Sequence, residues 1–284
     1  GAAMLLIRPL IATNKQRKHK VHTILFFIAL VANCGGLLTP LGDPPLFMLY
    51  LRGVPFTWFL QLFPEWLFVG IVLLMLYFAV DTFYYKREHS QAKEMDRLEH
   101  RALELSGKIN FLYLVGVVVA VALVNESYIP AMAKADASIW MVHLRDIVLL
   151  VLTGLSLLTT SKEIRYEKNK FSWMPITEVA ILFLGIFVTM TPVLEYLRVH
   201  AASLGLNEIW QFYYTTLSSF LDNTPTAVAF HSVALGLPAE QLASYGGEIV
   251  AGVPSMLLRA ISLGSVMFGA MTYIGNGPNF MVKA

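Results

Sequence analysis

Two aspartates lie inside interruptions of long apolar stretches, where a charged side chain requires a partner. Asp43 lies in the segment Asn33–Pro45 (NCGGLLTPLGDPP), whose last 11 residues contain three prolines and three glycines. Such a sequence cannot continue a helix. Asp222 lies in the segment Leu221–Thr226 (LDNTPT), between two apolar arms. Because an aspartate at membrane depth costs roughly 2.5–3.5 kcal/mol on insertion scales, we expect each carboxylate to bind a cation or a proton.

A third interrupted stretch, residues 248–282, is similar in sequence to the first. Residues 269–282 align without gaps to residues 36–49 at a constant offset of 233, and six of the 14 positions are identical. The six are Gly36, Thr39, Gly42, Pro45, Phe47 and Met48, matched by Gly269, Thr272, Gly275, Pro278, Phe280 and Met281. Two unrelated apolar stretches would rarely place Gly, Thr, Gly and Pro in register, so the sequence predicts an internal repeat.

The polar residues of these interruptions are suitable ligands for a hard cation. Sodium prefers carboxylate, amide, hydroxyl and backbone carbonyl oxygens, and interrupted helices expose carbonyls. We predict one cation site from Asp43, Asn33 and Thr39. We predict a second from Asp222, Asn223, Thr224, Thr272 and Asn276. A proton and a sodium ion would compete for the same carboxylate, which gives exchange between them. Two alternatives stay open, since Asp222 could cap a helix and Asp43 could serve a turn.

The composition indicates that these residues lie in a membrane protein. Of the 284 residues, 56% are hydrophobic and only 14% are charged, whereas soluble domains have about 45–50% and about 25%. The formal net charge of +2 provides no field for a nucleic-acid partner. The single cysteine, Cys34, excludes a disulfide framework and a cysteine-rich metal site.

The apolar blocks predict an all-α, polytopic membrane protein with broken helices, an inverted repeat and a re-entrant hairpin. A bilayer core of about 30 Å takes about 20 helical residues. Predicted spanning helices cover residues 58–85, 109–125, 139–160 and 175–197, and broken helices cover residues 22–50 and 248–282. Each arm of segment 209–235 is too short to span, so this segment is the predicted hairpin. Residues 86–108 are predicted to form a cytoplasmic linker helix.

Charge sets the predicted orientation. The linkers 14–20, 86–108 and 162–170 hold four, six and four Lys or Arg residues, and basic linkers face the cytoplasm. The two broken helices then run in opposite directions, so the repeat is inverted, which is typical of secondary transporters. Residues 1–85 would be the remainder of the first half and residues 109–284 the second half. A twin of the Asp222 hairpin would lie upstream of Gly1, so we interpret the chain as part of a longer protein.

Two motifs together resemble those of a known superfamily. Asn33-x-Gly35-Gly36-x-x-Thr39-x-x-Gly42-x-Pro44-Pro45 is similar to the unwound loop of the ion transporter superfamily, and Asp222-Asn223-Thr224-Pro225-Thr226 is similar to its hairpin tip. The superfamily includes citrate, divalent-anion and arsenite carriers, and the chain is most similar to its citrate-transporter-like group, often described as sodium:proton antiporters. The resemblance covers nearly the whole chain. It implies a multi-pass plasma-membrane homodimer that moves a transport domain against a scaffold, with a binding site that also includes Gly275 and Pro278.

The chain departs from the carboxylate carriers of that superfamily in a way that favours a cation. Asp43 and Asp222 stand where those carriers usually have Thr and Ser, and an added carboxylate opposes an anionic substrate. We therefore predict a sodium/proton antiporter without enzyme activity or a resident cofactor, whose partners are the lipid bilayer and a small ion or carboxylate. The alternatives are a sodium- or proton-coupled symporter of citrate or a dicarboxylate and, more remotely, an intramembrane aspartyl protease with two aspartates sharing a proton.

Overall fold

The computed structural model describes residues 2–98, 106–126, 128–134, 136–168, 171–214, 218–272, 275–276 and 279. The chain divides into two compact units. One contains Gly1–Arg101 and Ile181–Ala284, and the other contains Ala102–Ala180. The described residues are mostly helical, with one pair of two-residue strands.

The N-terminal part of the first unit is a set of helices around one interruption. Its α-helices are α1 (Ala2–Thr13), α2 (Val21–Phe27), α3 (Pro44–Leu51), α4 (Phe63–Lys86) and α5 (Ser90–Leu98). A 3₁₀ segment, Phe56–Leu62, leads into α4. Ala3 and Ile7 of α1 are buried against Phe27 and Ala32, so apolar packing holds α1 beside the start of the broken helix.

The first broken helix departs from α-helical geometry in stages. After α2 the backbone forms a π-helical turn over Ile28–Asn33 and a 3₁₀ turn over Cys34–Gly36, and then turns until Asp43. Helix α3 begins with Pro44 and Pro45, where a missing N–H leaves no intrahelical bond unmade. The break predicted within residues 22–50 is therefore present, and π-helical turns are frequent at functional sites.

The C-terminal part of the first unit brings the other two interruptions to the same place. It comprises residues 181–199 of α9 (Met174–Val199), α10 (Ile209–Tyr214), α11 (Asn223–Leu235), α12 (Ala239–Ser244), β1 (Ile249–Val250), β2 (Val253–Pro254) and α13 (Ser255–Phe268). Helix α11 packs against α3 and α13, and α10 packs against α13. Leu257, Leu258 and Ile261 of α13 are fully buried. The helices that border the three interruptions thus share one core.

The predicted helical start at residue 248 is wrong. Ile249 pairs with Pro254 and Val250 with Val253 in a short antiparallel ladder. The turn between the strands has positive φ at Ala251 and Gly252, which a helix does not allow. Helix α13 therefore begins only at Ser255. Residues 273–274, 277–278 and 280–282 of the predicted broken helix lie outside the described residues.

The second unit contains α6 (Ile109–Leu123), α7 (Ile139–Val142) and α8 (Leu144–Thr159), with a π-helical turn over Glu163–Lys168. Helix α6 packs against α8. Asn110 joins the two, since it donates to Thr160 Oγ1 at 2.9 Å and accepts from Ser156 Oγ at 2.6 Å. The predicted helix 139–160 is thus present in two pieces, interrupted at His143. Of the predicted linker helix 86–108, Ser90–Leu98 is helical and residues 99–105 lie outside the described residues.

Two helical stretches are long and apolar enough to cross a membrane. They are Phe56–Lys86 and Ile176–Val199, with mean hydropathies of 2.1 and 2.0 and none of their most apolar residues buried inside the protein. Their positions confirm the predicted helices 58–85 and 175–197. Shorter apolar helices cover Val21–Gly36, Ile109–Leu123 and Ser255–Phe268. Apolar surface that faces outward along whole helices is suited to lipid, and the chain is accordingly treated as a membrane protein.

Candidate functional site

Asp43 lies at the centre of the three interruptions and is 1% exposed. Its carboxylate is contacted from both other interruptions. Asn276 Nδ2 lies 3.0 Å from Oδ1 and 3.3 Å from Oδ2, and Asn223 Nδ2 donates to Oδ2 at 3.0 Å. Burial of an ionised carboxylate is unfavourable unless it is hydrogen-bonded and paired with a positive charge. The two amides supply the hydrogen bonds and leave the negative charge unpaired.

Two further asparagines extend this arrangement. Asn33 accepts from Asn276 Nδ2 at 2.8 Å and donates to the Ile28 carbonyl and to Asn279 Oδ1, both at 2.9 Å. Asn279 Nδ2 donates to the carbonyls of Gly269 and Thr272, at 2.8 and 2.9 Å. We call the connected side chains the amide network, which consists of Asn33, Asp43, Asn223, Asn276 and Asn279. Its members come from the π-helical turn, the N-cap of α3, the first residue of α11 and the segment after α13.

One oxygen of the amide network has no hydrogen-bond donor among the described residues. Asn276 is fully buried, and its Oδ1 is without a partner while its Nδ2 contacts Asp43. An unsatisfied buried acceptor requires an explanation. A sodium ion prefers such an oxygen beside a carboxylate, and a protonated Asp43 would donate to it. The network therefore has an unused acceptor next to its only charge.

Asp222 has a different role in the structure. It is the N-cap of α11, and its Oδ1 accepts from the Thr224 backbone N–H at 3.1 Å. Its carbonyl accepts from Thr226 Oγ1 at 2.9 Å. Thr224 Oγ1 donates to Asn223 Oδ1 at 3.3 Å, so the cap is joined to the amide network. Asp222 also lies close enough to Asp43 for their negative charges to interact.

Glycines allow the backbone of each loop to close on itself. A Cβ on Gly36 would lie 2.7 Å from the Gly42 carbonyl oxygen, and one on Gly275 would lie 2.6 Å from the Gly269 carbonyl oxygen. No ordinary side chain is compatible with such an approach. The two close pairs are the glycines that align in sequence at the offset of 233 residues.

Backbone hydrogen bonds also recur at this offset. In the first loop they run from Leu37 to Cys34, from Gly42 to Thr39 and from Leu46 to Asp43; in the second they run from Ala270 to Met267, from Gly275 to Thr272 and from Asn279 to Asn276. The aligned loops therefore share a local conformation. Asp43 and Asn276, which contact each other, occupy equivalent positions in the two loops.

The hairpin that carries Asp222 is attached to the second loop. Asn223 N–H donates to the Gly275 carbonyl at 3.1 Å. Ser219 Oγ donates to the Phe268 carbonyl at 2.9 Å, and Thr272 Oγ1 donates to the Ser219 carbonyl. These bonds fix the start of α11 against the segment that holds Asn276, and so place Asn223 within reach of Asp43.

The structure joins residues that the sequence assigned to two separate sites. Asp43 and Asn33 are contacted by Asn276, and Asp43 also by Asn223, so one cluster replaces two. Other predicted residues shape the backbone. Thr39 supplies a carbonyl to Gly42 N–H, Pro45 and Pro225 lie in the first turns of α3 and α11, and Gly35 is exposed. Pro278 lies outside the described residues.

Asn279 is the site residue that the sequence did not indicate. It aligns with Leu46 in the repeat, and this apolar counterpart concealed its role. The available signal was a buried-type amide in an otherwise apolar segment, three residues after Asn276. Within the described part of the chain, no lysine or arginine bonds to the amide network, and no three His, Cys, Asp or Glu residues form a metal cluster.

A family model described as "Putative citrate transport" matches residues 1–284. No curated protein and no solved structure matches the chain.

Proposed function

The chain belongs to the family described as "Putative citrate transport", and we propose that it is a secondary carrier that exchanges sodium for protons at Asp43. Family membership makes the chain a transport protein of a membrane. The sodium/proton exchange is our proposal, and the buried carboxylate of Asp43, with the unused Asn276 oxygen beside it, is the observation that supports it.

The electrostatics of the amide network favour one monovalent cation. Asp43 contributes one negative charge, and the asparagines around it are neutral. One sodium ion or one proton neutralises that charge, whereas an anion would add a second negative charge to a buried site. Binding of one cation therefore excludes the other, and this competition is what an exchanger requires.

Asn276 can serve both cations with the same side chain. Its amide presents Nδ2 to Asp43, and rotation by 180° would place Oδ1 where Nδ2 now lies, 3.0 Å from Asp43 Oδ1. In that orientation the amide oxygen accepts a proton held on Asp43, or faces a sodium ion bound to the carboxylate. Asn33 and Asn223 keep Asp43 in place in either state.

We place this site at the interface of two inverted halves in a multi-pass plasma-membrane protein that works as a homodimer. The recurrence of backbone bonds and glycine contacts at one offset supports the repeat. The opposed basic linkers support its inversion. In such carriers, sites lie near the midplane where broken segments of the two halves meet.

The family description supports a second candidate function. A carrier of citrate or a dicarboxylate coupled to sodium or protons would use Asp43 for the coupling cation and would need further donors for the anion. In the described residues the amide network offers amides and a carboxylate, without a guanidinium or ammonium group, so exchange remains our first choice.

The test is transport by the full-length protein in sealed vesicles with an internal pH dye. We expect an added sodium gradient to change the internal pH. Asp43→Asn should abolish this response, because it removes the charge at nearly the same volume. Asp146→Asn, at an exposed aspartate of α8, is the matched control and should retain it. Citrate uptake without any sodium-driven pH change would contradict exchange and favour the second function.

A further inference from the structure

A cavity of about 270 Å³ lies at the far end of α3 from Asp43. It is formed by the C-terminal end of α3, by α9 from Ile186 to Leu194 and by Val228 of α11. All its lining residues belong to the first unit. Apart from Arg52 and Thr191 they are apolar, so the cavity combines one cation with a hydrocarbon-like wall.

Arg52 has donors to spare in this position. Its Nη1 donates to Ser232 Oγ at 3.0 Å and lies 3.3 Å from His231 Nδ1. Both partners are uncharged when His231 accepts this bond. A guanidinium has five N–H donors, and no carboxylate of the described residues lies within ion-pair distance of Arg52. A half-buried cation without a counter-charge favours an anionic ligand.

The cavity opens to the outer surface of the protein. Leu51 and Phe187, two of its lining residues, are 47% and 48% exposed. The outer face of α9 is apolar around the opening, since Leu184 and Val188 are exposed as well. In a stretch that is apolar enough to cross a membrane, this opening faces the hydrocarbon region or its edge.

We infer that this cavity, which we call the Arg52 cavity, binds the anionic head of a single-chain segment of an amphiphile. The head group is a phosphate diester or a carboxylate bonded to the free N–H groups of Arg52. Part of its alkyl chain lies against Met48, Phe187 and Val228. At about 30 Å³ for each water-sized group, the cavity holds roughly nine heavy atoms, which fits a short length of one chain.

The lining excludes the substrates considered above. A citrate ion has three carboxylates, whereas the cavity offers one cation and one hydroxyl among apolar walls. A sodium ion would be repelled by Arg52. A ligand with one negative charge and an alkyl chain matches both parts of the lining, so the Arg52 cavity is a site separate from the amide network and does not depend on the proposed exchange.

Native mass spectrometry of the purified full-length protein in non-ionic detergent tests this inference. The protein is titrated separately with dioleoylphosphatidylglycerol, with oleate and with zwitterionic dioleoylphosphatidylcholine. We expect one bound anionic amphiphile per chain, at least tenfold tighter than phosphatidylcholine. Binding of phosphatidylglycerol alone identifies a lipid headgroup, and binding of oleate alone identifies a free fatty acid. Equal binding of all three would overturn the inference, as would displacement by millimolar citrate.

Variants separate the charge from the cavity. Arg52→Gln should weaken binding about tenfold, the effect of losing a charged hydrogen bond. Thr191→Phe should fill the cavity and weaken binding while leaving Arg52 intact. Thr189→Phe is the matched control, because both threonines bond to a carbonyl of their own helix and Thr189 does not line the cavity. Unchanged binding in Arg52→Gln, or equal loss in both phenylalanine variants, would contradict the assignment.

Discussion

At the scale of single residues, the two aspartates that look equivalent in sequence differ in environment. Asp43 is buried among amides with its charge unpaired, whereas Asp222 caps α11 and is partly exposed. A buried charge requires a counter-ion, and a cap requires only an acceptor for a backbone N–H. The ion-binding role therefore belongs to Asp43, and the main contribution of Asp222 is to fix the start of α11.

The roles of the two aspartates can be separated with substitutions at Asp222. Asp222→Ser retains an acceptor for Thr224 N–H and should retain both stability and transport. Asp222→Ala removes the acceptor and should lower the free energy of unfolding by about 1 kcal/mol. Thermal unfolding in detergent and vesicle transport measure the two effects. A serine variant that unfolds like the parent yet transports nothing would assign ion binding to Asp222.

At the scale of elements, the glycine pairs hold the loops in the shape that brings the amides to Asp43. Gly42→Ala places a methyl group against the Gly36 carbonyl. We expect it to reduce the free energy of unfolding by about 1–3 kcal/mol, as overpacking does, and to reduce transport. Gly70→Ala is the matched control, because a Cβ there meets nothing within 4 Å in the middle of α4. Equal melting temperatures of the two variants would contradict the close packing.

A carboxylate outside the membrane ties the first basic linker to the end of α4. Glu88 accepts from the backbone N–H groups of Lys18 and His19, at 3.2 and 2.6 Å. Burial raises the pKa of Glu88, but these hydrogen bonds outweigh it and hold the pKa below its usual value. A lowered pKa in the folded protein stabilises the fold above the unfolded-state pKa, and this contribution is lost as pH falls through the folded value.

Melting temperatures as a function of pH test this tie. The parent protein should melt above Glu88→Gln at neutral pH, and the difference should shrink as the pH falls below about 4.3, the ordinary pKa of glutamate. The loss of a hydrogen-bonded charge is of the order of 1.5–3 kcal/mol. A difference that stays constant down to acidic pH would show that the carboxylate charge is not involved.

At the scale of the whole molecule, the sequence was most informative where physical constraints are local. Apolar length predicted the helices that contain Phe56–Lys86 and Ile176–Val199, and proline and glycine predicted the break before α3. The pairing of Asp43 with Asn276 and Asn223 could not be predicted, because it depends on how distant loops pack. The strands at Ile249–Val250 and Val253–Pro254 were missed, since an apolar run of that length suits a helix or a strand equally.

The account therefore rests on one carboxylate where three interruptions of the chain meet. Equilibrium binding of radioactive sodium to the purified full-length protein, measured at several pH values, tests it most directly. We predict one sodium ion per chain, with weaker binding as the pH falls, because protons compete for Asp43. Asp43→Asn should abolish the binding, and Asp222→Ser should retain it. Sodium binding that survives in Asp43→Asn with unchanged pH dependence would contradict the account.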